Sequence, residues 1–133
     1  MTFNKINTFV ADLANGSHNL ATNQLAVALT DTAPTSASTS FAGEIAYTNF
    51  VGTHPNYITT TSSTQTAGLY KLLVGVIVMT ASGTVPQFRY IGIKNVTTSK
   101  VIGWFDAGVE INLTVGQQLD LNFDLTNGLL QIQ

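Results

Sequence analysis

Near the end of the chain, Leu119, Leu121, Phe123 and Leu125 alternate with Asp120, Asn122 and Asp124. Successive side chains of an extended backbone point to opposite faces, so this stretch can bury one side as a strand. The same period recurs earlier, where Leu25, Val27 and Leu29 alternate with Ala and Thr. Turn residues then separate one short apolar run from the next, which is the pattern of a β protein.

The runs can be placed in order. Tyr57 to Ser63 is rich in β-branched residues with a weak core face. Leu69 to Thr80 is the most apolar segment and reads as one central strand, ended by Ala81-Ser82-Gly83. Phe88 to Val96 and Lys100 to Asp106 are expected to flank a turn at Asn95 to Ser99. Gly108 opens a further strand carrying Val109, Ile111, Leu113 and Val115, and Gly116-Gln117 makes a tight turn before Leu119. Asn127-Gly128 is a hairpin signal, and Leu130 and Ile132 close the chain. Counting these gives about eight strands and an all-β antiparallel sandwich or barrel, with a jelly roll preferred. Asp31 to Ser40 and Phe41 to Pro55 are long enough to carry crossovers between sheets.

One segment breaks the period. Phe3, Ile6, Phe9, Val10 and Leu13 recur at helical spacing, and Asn15-Gly16 supplies a left-handed stop. The spacing predicts a short amphipathic helix over residues 2–15, within an N-terminal segment 1–16. Its apolar stripe needs a cover, from the rest of the fold or from a neighbouring subunit. Phe3, Ile6, Phe9 and Leu13 are therefore candidate interface residues.

The 133 residues suit a single domain, and no linker or internal repeat divides them. Only 9% of residues are charged, against 44% hydrophobic. A weakly charged surface repels itself little and favours association. The formal charge of -2 and five scattered cations, Lys5, Lys71, Arg89, Lys94 and Lys100, exclude the basic footprint of a nucleic-acid binder. The N-terminal residues lack a signal-peptide pattern, and the longest apolar run, Leu72 to Met79, is too short to span a bilayer. A soluble compartment without membrane attachment is expected. No cysteine is present, which leaves the redox compartment open.

Reactive chemistry has weak support. His18 follows the helix stop, His54 precedes Pro55 in a loop, and no Gly-x-Ser-x-Gly elbow is present. Two histidines without close carboxylates argue against zinc. Asp120, Asn122 and Asp124 are oxygen donors, but on a strand they form its polar face rather than a loop that wraps calcium. Glu44, Asp106 and Glu110 are isolated in sequence. Gly103, Gly108 and Gly116 have the spacing of strand-end and turn glycines, not of a phosphate loop. No catalytic residue, cofactor or metal ligand is assigned, and the chain is read as a non-enzyme. The aromatics are more informative. Phe88, Tyr90, Trp104 and Phe105 lie on adjacent strands, and the consecutive Trp104 and Phe105 must point to opposite faces. Trp104 is thus a candidate contact residue, for a partner surface or for a sugar ring.

An ordered set of segments carries a resemblance. Leu25 to Pro34 (LAVALTDTAP), Tyr70-Lys71-Leu72, Phe88-Arg89-Tyr90, Ile102 to Asp106 (IGWFD) with Gly108, and Asn127 to Leu130 (NGLL) occur in this order, after an amphipathic start at Phe3 to Asn7. The chain resembles small virion structural proteins of tailed bacteriophages over nearly its whole length. The resemblance implies a capsid decoration, or cement, protein on the outer shell. Such a protein is made in the bacterial cytoplasm and sits as a dimer or trimer over joints between major capsid subunits. It brings no catalytic residues with it. The alternative is a tail or fibre component that binds host surface carbohydrate through Trp104 and its neighbours.

Overall fold

The computed structural model describes residues 1–133. Strands hold 48% of the chain and helix 8%, and every strand pairing is antiparallel. In chain order the elements are β1 (Phe3–Lys5), α1 (Asn7–Ala14), β2 (Leu25–Thr30), a single 3₁₀ turn (Tyr47–Asn49), β3 (Tyr57–Ile58) and β4 (Thr60–Thr66). Then come β5 (Leu69–Val74), β6 (Ile77–Thr80), β7 (Val85–Asn95), β8 (Lys100–Leu113), β9 (Gln118–Leu121) and β10 (Leu130–Ile132). They form a five-stranded sheet in the order β1-β8-β7-β2-β3, a three-stranded sheet β10-β5-β4 and a two-stranded sheet β6-β9.

Ten strand segments stand where the periodicity suggests about eight, and each difference has a local cause. The run Leu69 to Thr80 is not one strand. It breaks at Gly75 into β5 and β6, which belong to different sheets. The run from Tyr57 breaks at Thr59, where β3 leaves the five-stranded sheet and β4 enters the three-stranded one. The two breaks meet, because the Gly75 N–H donates to the Thr59 carbonyl at 2.9 Å. Hydrophobicity is continuous across Gly75 and β-branched residues are continuous across Thr59, so period alone does not reveal the breaks.

Conversely, the two strands expected on either side of Ala107 are one, β8, running past Gly108 with an irregularity. Tyr90 pairs with Asp106, yet Phe88 pairs with Ile111, so extra residues are looped out there. Gly108 has φ +80°, which fits that bulge, and its N–H donates to Asp106 Oδ1 at 2.7 Å. Of the apolar residues placed on this stretch, Leu113 is buried, whereas Val109 and Val115 are exposed.

The alternation that ran from Leu119 to Leu125 is structural only as far as Phe123. Leu119, Leu121 and Phe123 are buried, but Leu125 is 66% exposed. Asp124 turns the chain: its carboxylate accepts the Thr126 and Asn127 N–H groups and the Asn127 amide. The Asn127-Gly128 signal does not close a hairpin onto β9. A single bridge joins Asp124 and Gly128, and the strand that follows pairs with β5. Gly128 (φ +83°) lies so close to the Leu72 carbonyl that no side chain fits.

The N-terminal segment also departs from expectation. The helix begins at Asn7, and Phe3–Lys5 is an edge strand on β8, with Phe3 opposite Phe105. Its apolar stripe is covered by the chain's own fold. Ile6 and Phe9 are buried, Phe3 and Leu13 pack half-buried against the main core, and Val10 is 51% exposed. One apolar core collects side chains from all three sheets, among them Leu25, Val27, Ile91, Ile93, Phe105, Leu72, Met79 and Leu121. At roughly 25 cal/mol per Å² of apolar surface removed from water, this shared core is the main force holding the sheets together.

Candidate functional site

The five-stranded sheet is covered on both faces. Every residue of β2 is buried, including Ala26, Ala28 and Thr30 on the side away from the main core. The cover on that outer side is the long segment after β2. Thr30 Oγ1 donates to the Ala42 carbonyl at 2.6 Å, and the Ile45 N–H donates to the Leu29 carbonyl at 2.8 Å. Phe41 is drawn onto the sheet, where its ring lies over Gly92, at a distance that leaves no room for a Cβ.

A second, smaller apolar cluster results: Ile6, Ala28, Phe41 and Val101, with Trp104 half-buried against it. Ala28, Gly92, Trp104 and Asn4 are successive partners across the sheet, so the small residues form a shallow groove beside the indole. Trp104 and Phe105 do point to opposite faces: Phe105 lies in the main core, Trp104 in the outer cluster. The indole is thus largely occupied by its own fold. Tyr90 is half-buried on β7, with the Arg89 guanidinium 5.7 Å from its ring, and Phe88 is fully buried.

Next to Phe41 the covering segment leaves a cleft of about 380 Å³, within the range of small-ligand sites. His54-Pro55-Asn56-Tyr57 builds one wall. The Tyr57 N–H donates to the His54 carbonyl at 3.2 Å, closing a turn with proline in its second position. That turn stacks the His54 ring on Tyr57, with centroids 4.3 Å apart and planes 6° from parallel. Tyr47, from the 3₁₀ turn, leans on His54 at 5.9 Å. Glu44 and Lys94 line the cleft as an ion pair at 2.5 Å, each less than a third exposed. Asn56 lines it too. Its backbone carbonyl accepts the Val27 N–H and its Nδ2 donates to the Val27 carbonyl, while its buried Oδ1 has no donor.

The remaining residues singled out in the sequence do not converge. His18 is buried beside Phe9, and its Nδ1 meets Asn95 Nδ2 at 3.1 Å. Asn95 Nδ2 also donates to Asn23 Oδ1, so it gives one hydrogen to each partner and His18 Nδ1 is the acceptor. Burial depresses the His18 pKa, opposed by Asp12 and assisted by Lys100. Asp106 is gripped in two-point fashion by Arg89 at 2.8 and 3.1 Å. That guanidinium, with the Gly108 N–H, holds the carboxyl below the usual carboxylate range. Asp124 is depressed in the same direction by the N–H groups of its own turn. Glu110 and Asp120 are exposed on different strands. No three His, Cys, Asp or Glu side chains are grouped as metal ligands.

The cleft escaped sequence reasoning because one side comes largely from the stretches that carry no period and the other from Lys94 to Val101, around the β7–β8 turn, far away in sequence. A signal was present in the small outer-face residues Ala26, Ala28 and Gly92. Strands that are apolar or tiny on both faces are covered on both faces. No family model matches the chain, and no curated protein or solved structure matches it.

Proposed function

We propose that this chain is a structural protein of a tailed-phage particle: a capsid decoration protein that binds across major capsid subunits on the outer shell. The observation that best supports the reading is the free edge of the three-stranded sheet. β4 pairs only with β5, and its sequence, TTSSTQT, has neither charge nor proline. Monomeric proteins usually blunt such an edge with lysine, proline or bulges, because its unpaired N–H and C=O groups recruit another strand. Here the one irregularity lies between Thr60 and Ser62, and the register from Ser62 to Thr66 is regular.

An added strand satisfies those groups, each backbone hydrogen bond contributing on the order of 1 kcal/mol net. Repetition over a shell multiplies a modest contact. The ordered resemblance to virion proteins and the low charge support the same reading. The occupant of the edge is a shell subunit or a second copy in a dimer or trimer. The fold reading that accompanies it is an antiparallel sandwich of jelly-roll type, with the five-stranded sheet as one layer and the two smaller sheets as the other. The reading assigns no catalytic role, no cofactor and no nucleic-acid partner. No helix is long and apolar enough to cross a membrane.

Co-sedimentation with expanded capsids of the parent phage tests it. The wild-type chain is expected to bind, and Thr64→Glu, at an exposed edge position opposite Lys71, to lose about tenfold in affinity, about 1.4 kcal/mol. Its melting temperature should stay unchanged. Full binding by the variant would remove the edge from the account. Absence of the chain from virions, together with failure to bind capsids, would remove the decoration role.

A further inference from the structure

We propose that the cleft beside Phe41 is a binding site for a neutral saccharide, with the stacked rings of His54 and Tyr57 and the tilted ring of Tyr47 as its platform. This goes beyond the decoration reading and does not depend on it. It moves sugar recognition away from Trp104, whose indole packs against Phe41 and Val101 of its own fold.

The chemistry of the wall sets the ligand class. Aromatic rings offer an apolar face to the C–H side of a pyranose. Tyr47 and His54 are exposed, and Tyr57 is half-buried beneath His54. Glu44 and Lys94 are paired in the cleft, so a diol finds a carboxylate acceptor and an ammonium donor side by side. Lys100 also lines it, drawn toward Asp12 at 3.5 Å, and phosphate as a comparator tests whether it serves an anion instead. Beneath the rings, Asn56 is 5% exposed and its Oδ1 lacks a donor. A buried acceptor in that state favours an incoming hydroxyl, directly or through one bridging water. The fixed parts are preorganised: the His54 to Tyr57 turn is hydrogen-bonded, and Asn56 is tied to Val27 of β2 by its backbone carbonyl and by its side-chain Nδ2.

The test is saturation-transfer NMR on the intact chain with neutral hexoses, N-acetylhexosamines and their disaccharides at millimolar concentration. Adenosine and inorganic phosphate serve as comparators. The expected result is transfer to at least one sugar. Tyr47→Ala and His54→Ala should each weaken it by about tenfold, about 1.4 kcal/mol, without moving the melting temperature. Trp104→Phe should leave it within about twofold. Three results would overturn the proposal: no sugar binds, sugar binding is indifferent to both ring variants, or only adenosine or phosphate binds. None of these bears on capsid binding, so the two proposals fail separately.

Discussion

The two faces of the five-stranded sheet are each sealed by a phenylalanine over a glycine, yet the two seals differ in kind. On the inner face, the Phe3 ring lies over Gly103 and packs on Phe105 at 5.5 Å. The backbone of the same strand lies just as close, since a Cβ on Gly103 would also sit 2.5 Å from the Asn4 carbonyl. On the outer face, Phe41 alone lies over Gly92, carried by an irregular segment and bordering an open cleft. The inner seal is part of a ladder and a packed core. The outer seal is a side chain on a loop, with room to move. One face of the sheet is thus held by ladder and core together, the other by a single ring carried on a loop.

Substituting the two glycines would break or sharpen that contrast. Gly103→Ala has the larger expected effect. Both a ring and a backbone carbonyl must shift, so overpacking is expected to cost about 3 kcal/mol, the upper part of the usual range, and to loosen β1. Hydrogen exchange at Phe3 to Lys5 would report that loosening alongside the drop in melting temperature. Gly92→Ala meets the Phe41 ring first, a side chain bordering the cleft rather than backbone, and is expected to cost about 1 kcal/mol. A double-mutant cycle checks the cause: in a Phe41→Ala background, Gly92→Ala should cost nothing further. Equal costs for the two glycines, or no coupling to Phe41, would erase the distinction between the faces.

The smallest expected effect is a pH dependence at the end of β7, where Asn95 holds His18. The folded pKa of His18 lies below its unfolded value of about 6.5, so the unfolded chain takes up the proton first. Stability is therefore full above that pH and falls as the pH drops through it toward the folded value. Asp106 and Asp124, whose folded pKa values are depressed, add a separate loss only at lower pH, as their carboxylates protonate. Denaturant midpoints between about pH 7 and 5 should decline for the wild type and flatten in His18→Gln.

The inner face was legible in the sequence and the outer one was not. Leu25, Val27 and Leu29 announce a core side by alternation, and they fill the core with Ile91 and Ile93. Ala28 and Gly92 show no alternation of large and polar residues; only their small size hints at a covered outer face. An apolar run hid the break at Gly75 and a threonine run the one at Thr59, and the two meet through a long-range hydrogen bond. Phe3 read as helical because residues 3, 6 and 9 share a spacing. The chain satisfies that spacing with a strand and then a helix, half-burying Phe3 on the first, burying Phe9 on the second and burying Ile6 between them. The turn that stacks His54 on Tyr57 was visible as Pro55, but its partners Glu44 and Lys94 are distant in sequence and meet only through the sheet.

The most direct test of the central claim is a cryo-EM map of the parent virion at a resolution that separates strands. The account predicts this fold on the outer shell, over joints between major capsid subunits, with a neighbouring chain extending the three-stranded sheet at β4. Density confined to the tail, or a shell position with β4 facing solvent, would contradict it.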